Sequence, residues 1–272
     1  MKKKSFFTGL LSLFMLFGLL TPVSAETNSE VEEGLIPALP DAFISSESVL
    51  DAHLQEMGFS TTDLSNMPID MKKEISSKDG KKVAAQELDT VVTVTDEEGN
   101  TVTDISVTAA DATPTLSGYA VYSGTSNNGR ELIYQVYATY NWNSSPFNFY
   151  TDNLAMAWQA NATPTGTPGG QHSVDGGSGI STYVNHVDKE EVAGTSYKVD
   201  MKAGGTYTKQ YGWGRQELRY PATADGTSTA IAVGYSHRIL PGFTTGISLS
   251  FGYVGFSGNG KVDYTGRFTF VI

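Results

Sequence analysis

The feature that most constrains this chain is a period of two. From Leu132 to Trp142 the alternate positions are Leu132, Tyr134, Val136, Ala138, Tyr140 and Trp142, and the positions between them include Gln135, Thr139 and Asn141. Successive side chains on an extended strand point to opposite faces, so this stretch predicts a strand with one apolar face and one polar face. Leu154, Met156 and Trp158 repeat the pattern, as do Ile231, Val233 and Tyr235, then Ile247, Leu249, Phe251 and Tyr253, then Val262, Tyr264, Phe268 and Phe270. A series of such strands has two ways to bury its apolar face. It can close into a barrel or pack against a second sheet.

The opposite face of the later strands decides between them. It carries Ala230, Ala232, Gly234 and Ser236, then Gly246, Ser248, Ser250 and Gly252. Small neutral residues suit a sandwich exterior or a packed second layer, whereas the lumen of a membrane barrel is polar. The expected fold is therefore mainly β: an antiparallel β-sandwich preceded by a small helical N-terminal segment. Pro241-Gly242 and Asn259-Gly260 read as turns, so residues 228–272 are expected to form a three-stranded meander. Leu88–Thr95 and Thr101–Thr108, joined by Asp96–Asn100, read as an earlier hairpin. Asn161–Gly179 contains two prolines and six glycines and is expected to be a long loop.

Ahead of the strands the period changes. Val49, Leu50, His53, Leu54 and Met57 mark one face of a helix from about Glu47 to Met57, with Ser45 or Ser46 to cap it and Gly58 to end it. Ser60 and Asp63 have capping-box spacing. Pro68 sits where a first-turn proline would open another helix, running to about Ser76. Leu54, Phe59, Leu64, Met67, Met71 and Ile75 are expected to face inward. Residues 78–82 read as a turn and linker. Residues 26–112 hold 5 Lys and Arg against 19 Asp and Glu, whereas residues 113–272 hold 10 of each. The acidic surplus thus belongs to the N-terminal third. The neutral remainder lacks the positive footprint that nucleic acid requires, and no nucleic-acid partner is expected.

The first 25 residues have the form of a secretory leader. Lys2, Lys3 and Lys4 precede an apolar stretch from Phe6 to Leu20, and Val23-Ser24-Ala25 is a small-x-small cleavage site. The expected division is a signal peptide at 1–25, an acidic helical unit or prosegment at 26–86, and a β-sandwich domain at 87–272. The chain has no cysteine, which removes disulfides, thiol catalysis, thiolate metal sites and a lipid-modified cysteine anchor. Such a protein is expected to be secreted, to meet a membrane only during export, and to hold itself by its own core.

The leader, the missing cysteine and the segment GFSTTDLSNMPIDMKKEI at 58–75 resemble secreted β-rich proteins of Bacillus-type Gram-positive bacteria, in which a short helical element precedes a β-rich domain. The resemblance is carried by residues 1–86. It implies export across a single membrane and no particular activity.

No catalytic set emerges from the pattern. Ser178, His186 and Asp188 lack the strand-to-helix elbow of a nucleophilic serine. Glu190 and Glu191 are adjacent, so on a strand they point to opposite faces rather than across one sugar ring. His53, His172, His186 and His237 match no metal-ligand spacing, and neither metal nor cofactor is expected. The residues that suggest binding are Trp213, set between Gly212 and Gly214, with Tyr211 and Arg215 beside it, and His172 with Asp175 in the Gly-rich stretch. An exposed tryptophan between glycines can stack on a sugar ring or seat in an interface. The leading expectation is a non-catalytic extracellular binding or surface-associating protein, its partner a glycan or a surface protein. A polysaccharide-active hydrolase using 161–179, and a membrane-active barrel or pore, are the alternatives.

Overall fold

A computed structural model describes residues 34–102, 113–144, 146, 149–176, 179–202 and 207–272. The expected leader, and residues 26–33 of the expected acidic unit, lie outside the described residues. So do Ser178 and most of the second arm of the 88–108 hairpin.

Three short helices come first: α1 (Glu47–Glu56), α2 (Thr61–Ser65) and α3 (Ile69–Ser76). Their boundaries follow local chemistry. Ser60 and Asp63 form the expected reciprocal box, with Asp63 N–H donating to Ser60 Oγ at 3.2 Å and Ser60 N–H donating to Asp63 Oδ2 at 2.8 Å. Pro68 stands one position earlier than expected, as the extended residue that caps α3. Leu54, Phe59, Leu64, Met67, Met71 and Ile75 are all buried. Lys72, itself buried, ties α3 to α1 through Glu47 and Asp51, each at 2.7 Å.

The strands follow in chain order: β1 (Lys81–Glu87), β2 (Val91–Thr95), β3 (Thr101–Val102), β4 (Thr115–Thr125) and β5 (Glu131–Trp142). Then come β6 (Thr151–Trp158), β7 (Thr163–Gly176), β8 (Gly179–Val184), β9 (His186–Glu191) and β10 (Gly194–Asp200). The last are β11 (Tyr207–Pro221), β12 (Ser228–Arg238), β13 (Gly246–Ser250), β14 (Tyr253–Ser257) and β15 (Lys261–Val271). One sheet has the order β1-β4-β5-β11-β7-β8 and the other β3-β2-β15-β12-β6-β10-β9; β13 and β14 pair with each other. Neighbours run antiparallel in every pairing.

The two large sheets face each other across one core, which makes the fold a sandwich. Tyr134, Val136, Tyr140 and Trp142 from β5 meet Ile231, Val233 and Tyr235 from β12 and Phe268 and Phe270 from β15. Each fully buried side chain of this size contributes roughly 1.5–3 kcal/mol. The apolar period of two thus points inward to the opposite sheet, not outward to lipid. Small residues set the spacing. A Cβ on Gly214 would lie 2.5 Å from the Tyr197 ring, and one on Gly118 would lie 2.0 Å from Phe268.

Each sheet also carries a second layer on its outer face. The helices cover Tyr119, Val121, Tyr137 and Trp213 of the six-stranded sheet. The β13–β14 hairpin covers Ala155, Ala157 and Ala232 of the seven-stranded one, through Ile247, Leu249 and Val254.

Three expectations are corrected here. Residues 228–272 are not a meander: β12 pairs directly with β15, from Ser228↔Val271 to Arg238↔Lys261. The segment between them leaves the sheet and folds over it, because the alanines and Gly234 beneath leave room for another layer. Nor is Asn161–Gly179 a loop, since most of it is β7, paired with β11 on one side and β8 on the other. Its prolines and glycines are accommodated by an irregularity opposite Arg215 and Glu217, where Gly166 adopts φ +65° and Pro168 falls outside the ladder. Gly170 is required by close approach, because a Cβ there would lie 2.4 Å from the Trp213 carbonyl oxygen. The expected linker at 78–82 is also shorter, since β1 begins at Lys81 and Gly80 bridges to Ile36.

Candidate functional site

Strand β11 carries three of the sequence-derived binding residues. Tyr211, Trp213 and Arg215 alternate with Gly212 and Gly214, so all three face the helix layer while the glycines face the core. Their fates differ. Trp213 does not stand in an exposed loop; it lies mid-strand, 4 % exposed, with its ring 6.1 Å from Tyr137 beneath the helices. It is packed as part of the helix–sheet core and is closed to a ligand. Arg215 Nε meets Glu74 Oε1 at 3.1 Å, which bolts α3 to the sheet. Tyr211 lies beyond the helix layer's cover and is only half-buried.

Tyr211 opens onto a cleft of about 300 Å³ between the α2–α3 corner and the end of the six-stranded sheet. Asn66, Pro68, Ile180, Asp175, Asn141, Lys209 and Glu47 line the cleft. Asp175 is paired with Lys209 across β7 and β11. The Lys209 ammonium lies 5.2 Å from the centre of the Tyr211 ring. Burial, and then the nearby carboxylates Asp175, Asp70 and Glu47, push the Tyr211 hydroxyl above its usual range, so it stays protonated and able to donate. Asn141 Oδ1 is buried at the cleft and accepts no hydrogen bond from any described residue. Asn66 and Asn141 also line a smaller hollow of about 150 Å³, with Glu87, Thr115, Ser117, Thr139 and Asn143. The two hollows share Asn66 and Asn141, and the larger one also has Tyr140, Met67 and Ile69 in its lining.

His172 is not in this cleft, although two of its neighbours in the sequence reading are. It faces the sandwich interior, 1 % exposed, with Nδ1 2.8 Å from the Tyr140 hydroxyl and Nε2 3.1 Å from Gln210 Oε1. Burial pulls its pKa down to about 4, so it is neutral at ordinary pH.

A second interior group lies nearby. Asp152, fully buried, accepts from the Tyr235 hydroxyl at 2.7 Å, from His237 Nδ1 at 2.8 Å and from Arg238 N–H at 3.1 Å. This Asp–His–Tyr set has the composition of a catalytic group, but it is enclosed in the core and positions strands instead. The sequence reading did not single out Asp152. Its signal would have been a carboxylate on the apolar register of β6, two residues before Leu154.

Among the described residues no three His, Asp or Glu side chains converge as a metal site, and no helix is long and apolar enough to cross a membrane. His186 and Asp188 are exposed on β9, where Asp188 meets Lys198 at 2.8 Å.

No protein-family model and no curated protein matches the chain. One solved structure, described as "pH-induced modulation of Streptococcus parasanguinis adhesion by Fap1 fimbriae", overlaps 67 % of this chain and 94 % of its own. The identity is 12 % and the TM-score 0.23, and nothing is carried over from it.

Proposed function

We propose that the chain is exported with removal of residues 1–25 and acts outside the cell as a non-catalytic binding or surface-associating protein, taking a glycan or a surface protein in the Tyr211 cleft. The observation that carries this is the cleft's chemistry. A half-buried aromatic ring with a surround of amides, hydroxyls and carboxylates suits a polar ligand with apolar C–H faces. Retention on a panel of insoluble polysaccharides and cell-wall preparations tests it. Tyr211→Ala is expected to weaken retention about tenfold, the loss of roughly 1.4 kcal/mol that an aromatic anchor supplies. Retention on no surface, or retention indifferent to Tyr211, would sink the reading.

In the same proposal the helical unit is not a discarded prosegment. The helices cover Tyr119, Tyr137 and Trp213, and β1 is the edge strand paired with β4. Protein from culture medium is therefore expected to begin at Glu26 by N-terminal sequencing. A start between Ala84 and Glu87 would split β1 and overturn this part.

The hydrolase reading is favoured by one observation: Glu47 and Asp175 line the same cleft. Glu47, however, is held by Lys72 at 2.7 Å. Release of reducing sugar that disappears in Asp175→Asn would move the assignment to a hydrolase.

A further inference from the structure

The free edges of the two large sheets are not alike. β1 carries Lys81, Lys82 and Glu87, is irregular between Lys82 and Ala84, and bonds back to the helix layer from Lys82 N–H to the Met57 carbonyl at 2.8 Å. β3 is two residues long among the described residues. β9 carries Asp188, Lys189, Glu190 and Glu191. Short length, irregularity and charge are the usual means of blunting an edge against strand addition.

β8 has none of these protections. It reads Gly-Ile-Ser-Thr-Tyr-Val, without charge or proline, and all six residues are exposed. Its ladder to β7 is unbroken from Gly176↔Gly179 to Gln171↔Val184. Ile180 and Val184 share the helix-side face and are 56 % and 69 % exposed. Thr182, between them, reaches back to Asp70 Oδ2 at 3.2 Å. On the sandwich side the Lys202 ammonium lies 4.6 Å from the centre of the Tyr183 ring and is tied to Asp200, so it does not guard the edge.

We propose that β8 is the docking edge for a second copy of this chain, pairing antiparallel about a two-fold axis at Thr182 and joining two six-stranded sheets into one. The strand's own symmetry selects this occupant. The acidic surplus lies in residues 26–112, whereas residues 113–272, which include β8, hold 10 Lys and Arg against 10 Asp and Glu. An uncharged strand set against itself brings no like charges together within the strand pair, and the carboxylate nearest the axis, Asp70, is held by Thr182. In the antiparallel register Ile180 of one copy lies opposite Val184 of the other, and the apolar pair is self-complementary as a two-fold interface requires. A charged foreign strand would leave its charges over these side chains unmatched.

Sedimentation velocity on the full secreted chain, from micromolar to sub-millimolar concentration, tests the pairing. The wild type is expected to dimerise. Ile180→Lys/Val184→Lys sets lysine against lysine twice and is expected to weaken the dimer at least tenfold. Ile180→Lys/Val184→Glu sets opposite charges across the axis and is expected to restore it. A wild type that stays monomeric throughout, or a dimer unaffected by the double-lysine change, overturns the proposal. If the double-lysine variant does not fold, hydrogen exchange of the wild type decides. Amides of residues 179–184 gain protection with concentration if β8 pairs, and the proposal fails if they do not. Ile180 also walls the Tyr211 cleft, so association and not ligand binding is the readout.

Discussion

Asp152→Ala is expected to destabilise the fold by about 3–5 kcal/mol, the cost of leaving buried partners of a carboxylate without their acceptor. Three donors lose their acceptor at once: the Tyr235 hydroxyl, His237 Nδ1 and the Arg238 amide. Water cannot easily replace it. Trp142 packs against both Tyr235 and His237, with ring centres 6.0 and 4.8 Å away, and donates its own Nε1–H to the Tyr235 hydroxyl at 3.2 Å. The loss also spreads across strands, since Asp152 begins β6 while Tyr235, His237 and Arg238 end β12. For a chain of this size the melting temperature should fall by about 10 °C, read by circular dichroism or calorimetry. Asp152→Asn keeps one acceptor oxygen and should fall by less. A drop in Asp152→Ala no larger than that of an exposed-surface alanine variant would show that the buried group does not hold these strands together.

Acidification is expected to weaken the fold through His172. The free imidazole titrates near 6.5, and in the folded chain burial lowers this to about 4. Above pH 6.5 both states hold the ring neutral. As pH falls from there toward 4, the unfolded chain takes up a proton that the folded chain refuses, and stability is lost. A shift of this size corresponds to about 3 kcal/mol, all of it gone below pH 4. His172→Gln does not titrate yet keeps an amide within reach of Tyr140 and Gln210. Denaturant midpoints of the two proteins should converge as pH drops from 7 to 4, and parallel curves would refute the assignment. The comparison is needed because other groups titrate too. Burial lowers His53, which acts in the same sense, and raises Asp263, which acts in the opposite one.

The helices and β5 were legible because their signals are local. Ser60 and Asp63 satisfy each other's backbone within one turn, and Leu132–Trp142 states its buried face by alternation alone. β7 was not legible. Its composition describes what its neighbours forbid, since Gly170 is small because the Trp213 carbonyl lies against it. A single strand's sequence does not reveal that pressure from the adjacent strand. Ile247 and Leu249 misled for a related reason. Alternation reports that one face is buried, and it reads the same whether the burial is inside a sheet or on top of one.

The site was half legible. Tyr211 and Asp175 do meet at one cleft, and both were singled out from the sequence. Trp213 has the same face and a larger ring, yet it lies beneath three helices whose docking no spacing on β11 could announce. Asn141 was noted only as the polar alternate of an apolar strand, and its role at the cleft depends on Asn66, far away in the chain.

The place of β15 has a consequence for how the chain reaches this state. It is the latest strand in chain order, yet it sits inside the seven-stranded sheet, where Tyr264 pairs with Tyr235 on one side and Val92 on the other. Until it is available, β2 has no neighbour in the sheet but β3, β12 has an open side, and Phe268 and Phe270 are missing from between the sheets. A polypeptide emerging N-terminus first from a ribosome therefore holds an incomplete sandwich until β15 is available. With so many pairings between distant segments, closure is expected to be slow, on the order of milliseconds to seconds. The seven-stranded sheet becomes continuous only when β15 pairs with β2 and β12.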